Sequence, residues 1–195
     1  MATTDRALVI DGSKGLLTQG LDLLSSFADP ALYSQKSALI PGSTIGKHFR
    51  HLYDHFRLLF EALPPTGPAV IAHDTAPAVY YDKRDRQVPM EHDIAVAMAR
   101  IGELVECLQV LHENSAVDFY QPVTVRAQIN PQTEHQPELP SSLGRELWFC
   151  AHHAIHHYAM IKVLCLEFGV PTATDFGVAP STIQHHQATV AKGDA

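Results

Sequence analysis

Four histidines lie within six positions of an otherwise apolar segment, CAHHAIHHYAMI at residues 150–161. A buried helix accommodates one histidine if both ring nitrogens find partners, but four would leave several polar nitrogens in a low-dielectric interior. His153 and His157 are four positions apart, so they lie one helical turn apart on the same side. Two imidazoles at this spacing can bind one cation, as in the HExxH zinc motif. The segment therefore predicts two ligands of a metal site.

An earlier segment, TIGKHFRHLYDHF, supplies three more histidines on one face of a predicted helix. At about 100° per residue, His51 lies about 60° from His48 and about 40° from His55 around the helix axis. One of the three would complete a three-nitrogen site with the later pair, and the spacing leaves open which one. Three neutral imidazoles leave a fourth position for water or substrate, which is typical of catalytic rather than structural zinc.

A charged segment, YYDKRDR, precedes the third predicted helix. Arginine side chains there would hold a substrate carboxylate or phosphate at the mouth of the site, whereas the alternative is a solvated charged turn. The candidate substrate contacts are Tyr81, Asp82, Arg84 and Arg86.

Supporting positions around the site are predicted at Arg50, Arg145 and Glu146. An Arg145–Glu146 or an Arg50–Asp82 ion pair would tie a loop to a helix, and Glu146 also suits a helix N-terminus. The same helix-end interpretation applies to Glu91 and Asp93 at the start of the third helix.

The apolar periodicity predicts four helices that would carry these residues, at 13–28, 43–63, 91–114 and 142–168. The proline-containing stretch after the second helix is predicted as a long crossover connection. Alternating β-branched residues at 117–130 predict a short strand or hairpin, followed by a loop. The expected fold is all-α, an antiparallel four-helix bundle in a single domain over residues 1–195, with a polar, frayed tail at 187–195.

Composition limits the classes of partner. The net charge is −7, from 14 basic and 21 acidic residues, and the basic residues form no stripe, which argues against nucleic-acid binding. No apolar run approaches the ~18 residues of a membrane span, and the N-terminus does not have the pattern of a signal peptide. Three cysteines in apolar helical surroundings indicate reduced thiols: Cys107, Cys150 and Cys165. We expect a cytoplasmic protein without nucleic-acid or membrane partners.

The order of these segments resembles the DinB/YfiT-like superfamily of metal-binding helical bundles, over residues 14–186. It is most similar to a subgroup of uncharacterised DinB-like proteins, through the motifs IGKHFRH, YDKRDR, GRELWF, HAIHHYAMI and FGVAPST. In that superfamily one histidine of the second helix and an HxxxH pair of the fourth hold a divalent metal. The resemblance implies as ligands His51, His153 and His157, with His48 and His156 as alternates.

The resemblance also implies a range of activities, since the superfamily includes thiol-dependent transferases and a maleylpyruvate isomerase. We expect a metal-dependent enzyme that activates water or a thiol for transfer, isomerisation or hydrolysis of a small molecule. The alternative is a non-catalytic metal-binding or stress-response protein acting as a homodimer. Zinc is the default metal, nickel and iron are alternatives, and a low-molecular-weight thiol is a candidate cofactor.

Overall fold

The structure, a computed structural model, describes residues 4–63, 76–83 and 85–193. Within these residues the helices are α1 (Asp5–Ser25), α2 (Ala31–Ser34), α3 (Ile45–Ala62), α4 (Ile94–Glu113), α5 (Leu143–Phe168) and α6 (Pro180–Gly193). A 3₁₀ turn, Pro89–Glu91, precedes α4. The strands are β1 (Ala78–Tyr80), β2 (Pro122–Arg126) and β3 (Glu138–Ser142). The chain is therefore mostly helical, with a small sheet.

The four long helices pack on one another around a shared core. α1 contacts α4 and α5, and α3 also contacts α4 and α5. Each helix places an apolar stripe against its neighbours, which is what drives amphipathic helices together. Among the side chains that are fully buried are Leu17, Phe49, Phe56, Ile101 and Tyr158. This core holds α3 against α5, the two helices that carry the clustered histidines.

Side-chain caps set where the long helices begin. Thr44 accepts a hydrogen bond from the Lys47 N–H, and Asp93 accepts from the N–H groups of Ala95 and Val96. Ser142 caps α5 through the Arg145 N–H. Each bond satisfies a backbone donor that has no partner inside the helix.

The sheet has the order β1-β2-β3, in which β1 is parallel and β3 antiparallel to β2. Val125 of β2 pairs with Val79 on one side and Leu139 on the other. Because Ser142 both ends β3 and caps α5, the strand continues into the helix without a linker.

Several predicted boundaries differ from the structure. The first helix begins at Asp5 rather than at residue 13, because Thr4 caps it and its early glycines are tolerated. The region predicted as a loop before α5 contains β3, which is stabilised by pairing with a distant strand. The tail expected to be frayed is helical as far as Gly193. The predicted crossover overlaps residues 64–75, which lie outside the described part of the chain.

Two further expectations concern the whole described chain. None of its helices combines the length and apolar character that crossing a membrane requires. The three cysteines are free thiols, of which Cys150 and Cys165 are buried and Cys107 is half-buried.

Candidate metal centre

Three imidazoles from two helices converge at the interface of α3 and α5. His51 comes from α3, and His153 and His157 come from successive turns of α5. One nitrogen of each ring lies within 4.8 Å of the other two. The Nε2 atoms of His153 and His157 are 3.1 Å apart. Residues separated by about a hundred positions in the chain thus present their ring nitrogens to a common point.

This arrangement fits a divalent metal ion. Metal–nitrogen bonds of about 2.0–2.1 Å in a tetrahedral site place ligand nitrogens about 3.3 Å apart. The 3.1 Å separation within α5 is close to that value. All three nitrogens lie within 4.8 Å of one another. Three neutral nitrogen donors suit zinc, nickel, copper and iron alike.

His48 lies next to this group. Its Nδ1 is 2.8 Å from Nδ1 of His157, and its Nε2 is 2.7 Å from the Ser43 hydroxyl oxygen. Both ring nitrogens of His48 therefore already have partners.

His55 lies on the opposite side of the cluster. Its Nδ1–H donates to the His51 carbonyl oxygen at 3.0 Å, its ring centre is 4.1 Å from that of His153, and it stacks on Tyr81. The remaining histidines of α5 face outwards: His156 is exposed, and His152 stacks on the exposed Trp148.

Burial keeps two of these imidazoles neutral. Desolvation, followed by repulsion from the neighbouring His51 and other rings, lowers the pKa of His157 to about 2. Desolvation and then His156 lower the pKa of His48 to about 4. A neutral imidazole keeps the lone pair that a metal requires, so His157 is suited to ligation at neutral pH.

The residues of the segment predicted to contact substrate have different surroundings in the structure. Tyr81 is 5% exposed, and its hydroxyl donates to Glu146 at 2.8 Å. Asp82 is exposed and accepts a hydrogen bond from the Gln128 N–H. Arg86 lines the open pocket beside the histidines, whereas Arg84 lies outside the described residues.

The predicted supporting residues belong to two polar groups around buried carboxylates, although Arg145 itself is exposed. Arg50 donates to Glu91 at 3.0 Å and to Asp54 at 3.1 Å. The ion pair suggested between Arg50 and Asp82 is not among those of the described residues, because Asp54 and Glu91 lie beside the guanidinium instead.

The second group centres on Glu146, which is fully buried. Arg145 and Ser141 donate to one carboxyl oxygen and Tyr81 to the other. The Tyr81 hydroxyl is also 3.7 Å from Cys150 Sγ, and burial raises the pKa of both groups. A buried, protonated Cys150 is not placed to act as a nucleophile.

An open pocket of about 370 Å³ gives access to the candidate ligands. Its polar lining includes Ser43, Lys47, Arg50 and Arg86 besides His48, His51 and His157, and no carboxylate is among the described residues that line it. Ser43 and Lys47 line the pocket but were not predicted as site residues. The Ser43 hydroxyl does not cap α3, because Thr44 takes that role.

Comparison with known proteins adds independent information. The sequence profile of the DinB superfamily matches residues 21–161. A protein described as FK506-binding protein 5, from Rhizopus delemar, is 34% identical over 172 residues, which cover 88% of this chain and 36% of that protein. The chain thus spans about a third of the length of this relative. No solved structure matches the chain significantly.

Proposed function

The chain belongs to the DinB superfamily, and from this premise we propose that it is a metal-dependent enzyme acting on a small molecule. The observation that carries the proposal is the convergence of His51, His153 and His157, with an open pocket beside two of them. A site built only for storage or structure would be closed by a fourth protein ligand.

The residues around the site would have different roles. The three imidazoles would hold the ion and, being neutral, leave its charge undiminished. When bound, the ion would supply Lewis acidity that favours the deprotonated form of water or of a thiol at neutral pH. The aromatic rings of Tyr81 and Phe149, which pack on His55 and His153, would shield the buried side from water.

The pocket favours an anionic substrate. Lys47 and Arg86 line it, and within the described part of the chain no acidic side chain does, although the whole chain carries a net charge of −7. A local concentration of positive charge raises the concentration of anions at a site. We propose that Arg86, together with Arg84, holds a carboxylate or phosphate of the substrate. The other two candidates, Tyr81 and Asp82, would support the wall of the site.

We take the four long helices as an antiparallel four-helix bundle and zinc as the resident metal, with nickel or iron as alternatives. A low-molecular-weight thiol is the proposed co-substrate, and the cytoplasm the proposed location. The name of the Rhizopus delemar relative refers to FK506 binding, but this chain corresponds to only 36% of that protein.

Metal content provides the first test. We expect protein purified without added metal to contain about one divalent ion per chain, and His157→Ala to contain none. His152→Ala is the matched control, because His152 is on the same helix but faces outwards. Equal metal content in both variants would contradict the proposal.

Turnover provides the second test, on a panel of anionic small electrophiles with and without thiols. We expect His157→Ala to abolish turnover, and Arg86→Ala to retain metal but raise KM. Lys83→Ala, an exposed cation outside the pocket, should behave as wild type. Turnover that survives metal removal would refute the enzyme proposal, and an ion fully ligated by protein would favour the binding-protein alternative.

A further inference from the structure

A hydrogen-bonded chain leads from the metal centre to the pocket surface. His157 Nδ1 is 2.8 Å from His48 Nδ1, and His48 Nε2 is 2.7 Å from the Ser43 hydroxyl oxygen. We propose that His48 and Ser43 are positioning residues, which fix the tautomer and the ring orientation of His157 as a metal ligand. The inference rests on the proposed metal site, and it assigns His48 a role other than that of an alternate ligand.

The place of each proton follows from the lone pair that ligation requires. Nε2 of His157 faces Nε2 of His153, so it must be unprotonated for His157 to bind metal. The ring proton of His157 is then on Nδ1 and is donated to Nδ1 of His48. His48 consequently carries its own proton on Nε2 and donates it to the Ser43 oxygen. The hydroxyl hydrogen of Ser43 remains available to a group in the pocket.

The turn that carries Ser43 is itself held in place. The Ser43 N–H donates to the Ile40 carbonyl and the Ser43 carbonyl accepts from the Ser37 N–H, both at 3.0 Å. Gly42 adopts a left-handed φ of 79°, which glycine tolerates without strain, and the Lys47 ammonium donates to its carbonyl at 2.7 Å. The hydroxyl is therefore presented to His48 by the fold.

The geometry also argues against His48 as a fourth ligand. Both of its nitrogens are engaged, one by His157 and the other by Ser43. Ligation through either nitrogen would break one of these bonds. A histidine ligand whose second nitrogen donates to a fixed acceptor is better oriented and a better donor, and losing such a partner typically reduces metal affinity about 10–100-fold.

A pair of nearly isosteric variants tests the role of the acceptor. His48→Asn places a carbonyl oxygen near the position of Nδ1, whereas His48→Leu has a similar shape and no acceptor. Zinc affinity, measured by competition with a chromophoric chelator, should fall about 10–100-fold in the Leu variant and stay within about threefold of wild type in the Asn variant. A Leu variant that binds as wild type does, or an Asn variant as weak as the Leu variant, would overturn the assignment.

Nitrogen NMR of ¹⁵N-histidine-labelled protein gives a readout independent of affinity. In the zinc-loaded protein we expect His157 to be protonated at Nδ1 and a scalar coupling to connect the Nδ1 nuclei of His48 and His157. Protonation of His157 at Nε2, or a zinc-induced ligand shift on His48, would refute the chain. If the wild type binds no zinc, the proposed function fails separately. The metal-free protein then tests the hydrogen bond between His48 and His157 by itself. A scalar coupling between their Nδ1 nuclei would support the bond, and the absence of that coupling would refute it.

Discussion

The hydroxyl of Tyr81 reaches a carboxyl group in the protein interior. Glu146, which receives this hydrogen bond, is fully buried and also accepts from Ser141 and Arg145. Because the Tyr81 ring stacks on His55 at 4.8 Å between centres, this polar group supports one side of the histidine cluster.

Removing that hydroxyl should destabilise the protein. Tyr81→Phe leaves a buried oxygen of Glu146 without a donor, which costs about 1–3 kcal/mol of unfolding free energy. Urea unfolding of the metal-free protein measures the difference. Tyr120→Phe is the control, because Tyr120 is 65% exposed and its change should stay within about 0.5 kcal/mol. Equal effects of the two substitutions would contradict the role given to Tyr81.

Among the site residues, the features that could be predicted from the sequence are those that depend on local spacing. The relation between His153 and His157 follows from one helical turn, so it was predictable. Which histidine of α3 meets them depends on how α3 and α5 are offset along their axes, and spacing alone could not choose between His48 and His51. The ion pair of Arg50 with Glu91 could not be predicted either, because the fold brings Glu91 to it, whereas Asp54 lies one turn away on the same helix.

Among the helices, α4 depends on a single side-chain cap. Asp93 is exposed and accepts from two backbone N–H groups, at 2.8 and 3.2 Å. Asp93→Ala should lower the free energy of unfolding by about 1 kcal/mol, whereas Asp93→Asn, which retains a capping oxygen, should lower it much less. Thermal unfolding of both variants separates the cap from the charge. An Asn variant as unstable as the Ala variant would show that the charge is responsible.

Two helical glycines should respond in opposite directions to alanine. A Cβ on Gly46 would overlap the backbone carbonyl of Glu91, where the 3₁₀ turn packs on α3, and the expected loss is at least about 2 kcal/mol. A Cβ on Gly12 meets nothing within 4 Å, so Gly12→Ala should stabilise α1 by about 0.5–1 kcal/mol. Chemical unfolding gives both values, and two changes of the same sign would contradict this packing.

The elements that could not be predicted depend on distant partners. The segment ELPSS contains a proline and has no strand periodicity, yet it forms β3 because β2 pairs with it. The start of α1 was missed because Gly12 and Gly15 obscure its pattern, and packing on α4 and α5 outweighs their low propensity. The long periodic segments of α3, α4 and α5 were predicted to within a few residues, since their apolar faces are a local property.

For the whole molecule, a metal that binds only the folded state should raise stability. At a free zinc concentration about 100-fold above Kd, the free energy of unfolding should increase by about 2.7 kcal/mol. For a chain of this size the unfolding midpoint should then rise by about 5–11 °C. Differential scanning fluorimetry with and without zinc measures this shift. His157→Ala should show none, and an equal rise in that variant would place the binding elsewhere.

The stacked pair Trp148 and His152 makes α5 optically distinct. The chain contains one tryptophan, and its ring lies 5.1 Å from the imidazole at an interplanar angle of 10°. This stacking requires an intact helical turn, so the intrinsic fluorescence of the protein reports on the helix that carries His153 and His157. Far-UV circular dichroism, by contrast, averages over all helices. Comparing the two signals during refolding therefore reveals, without any added label, whether the histidine-bearing helix forms before or with the rest of the chain.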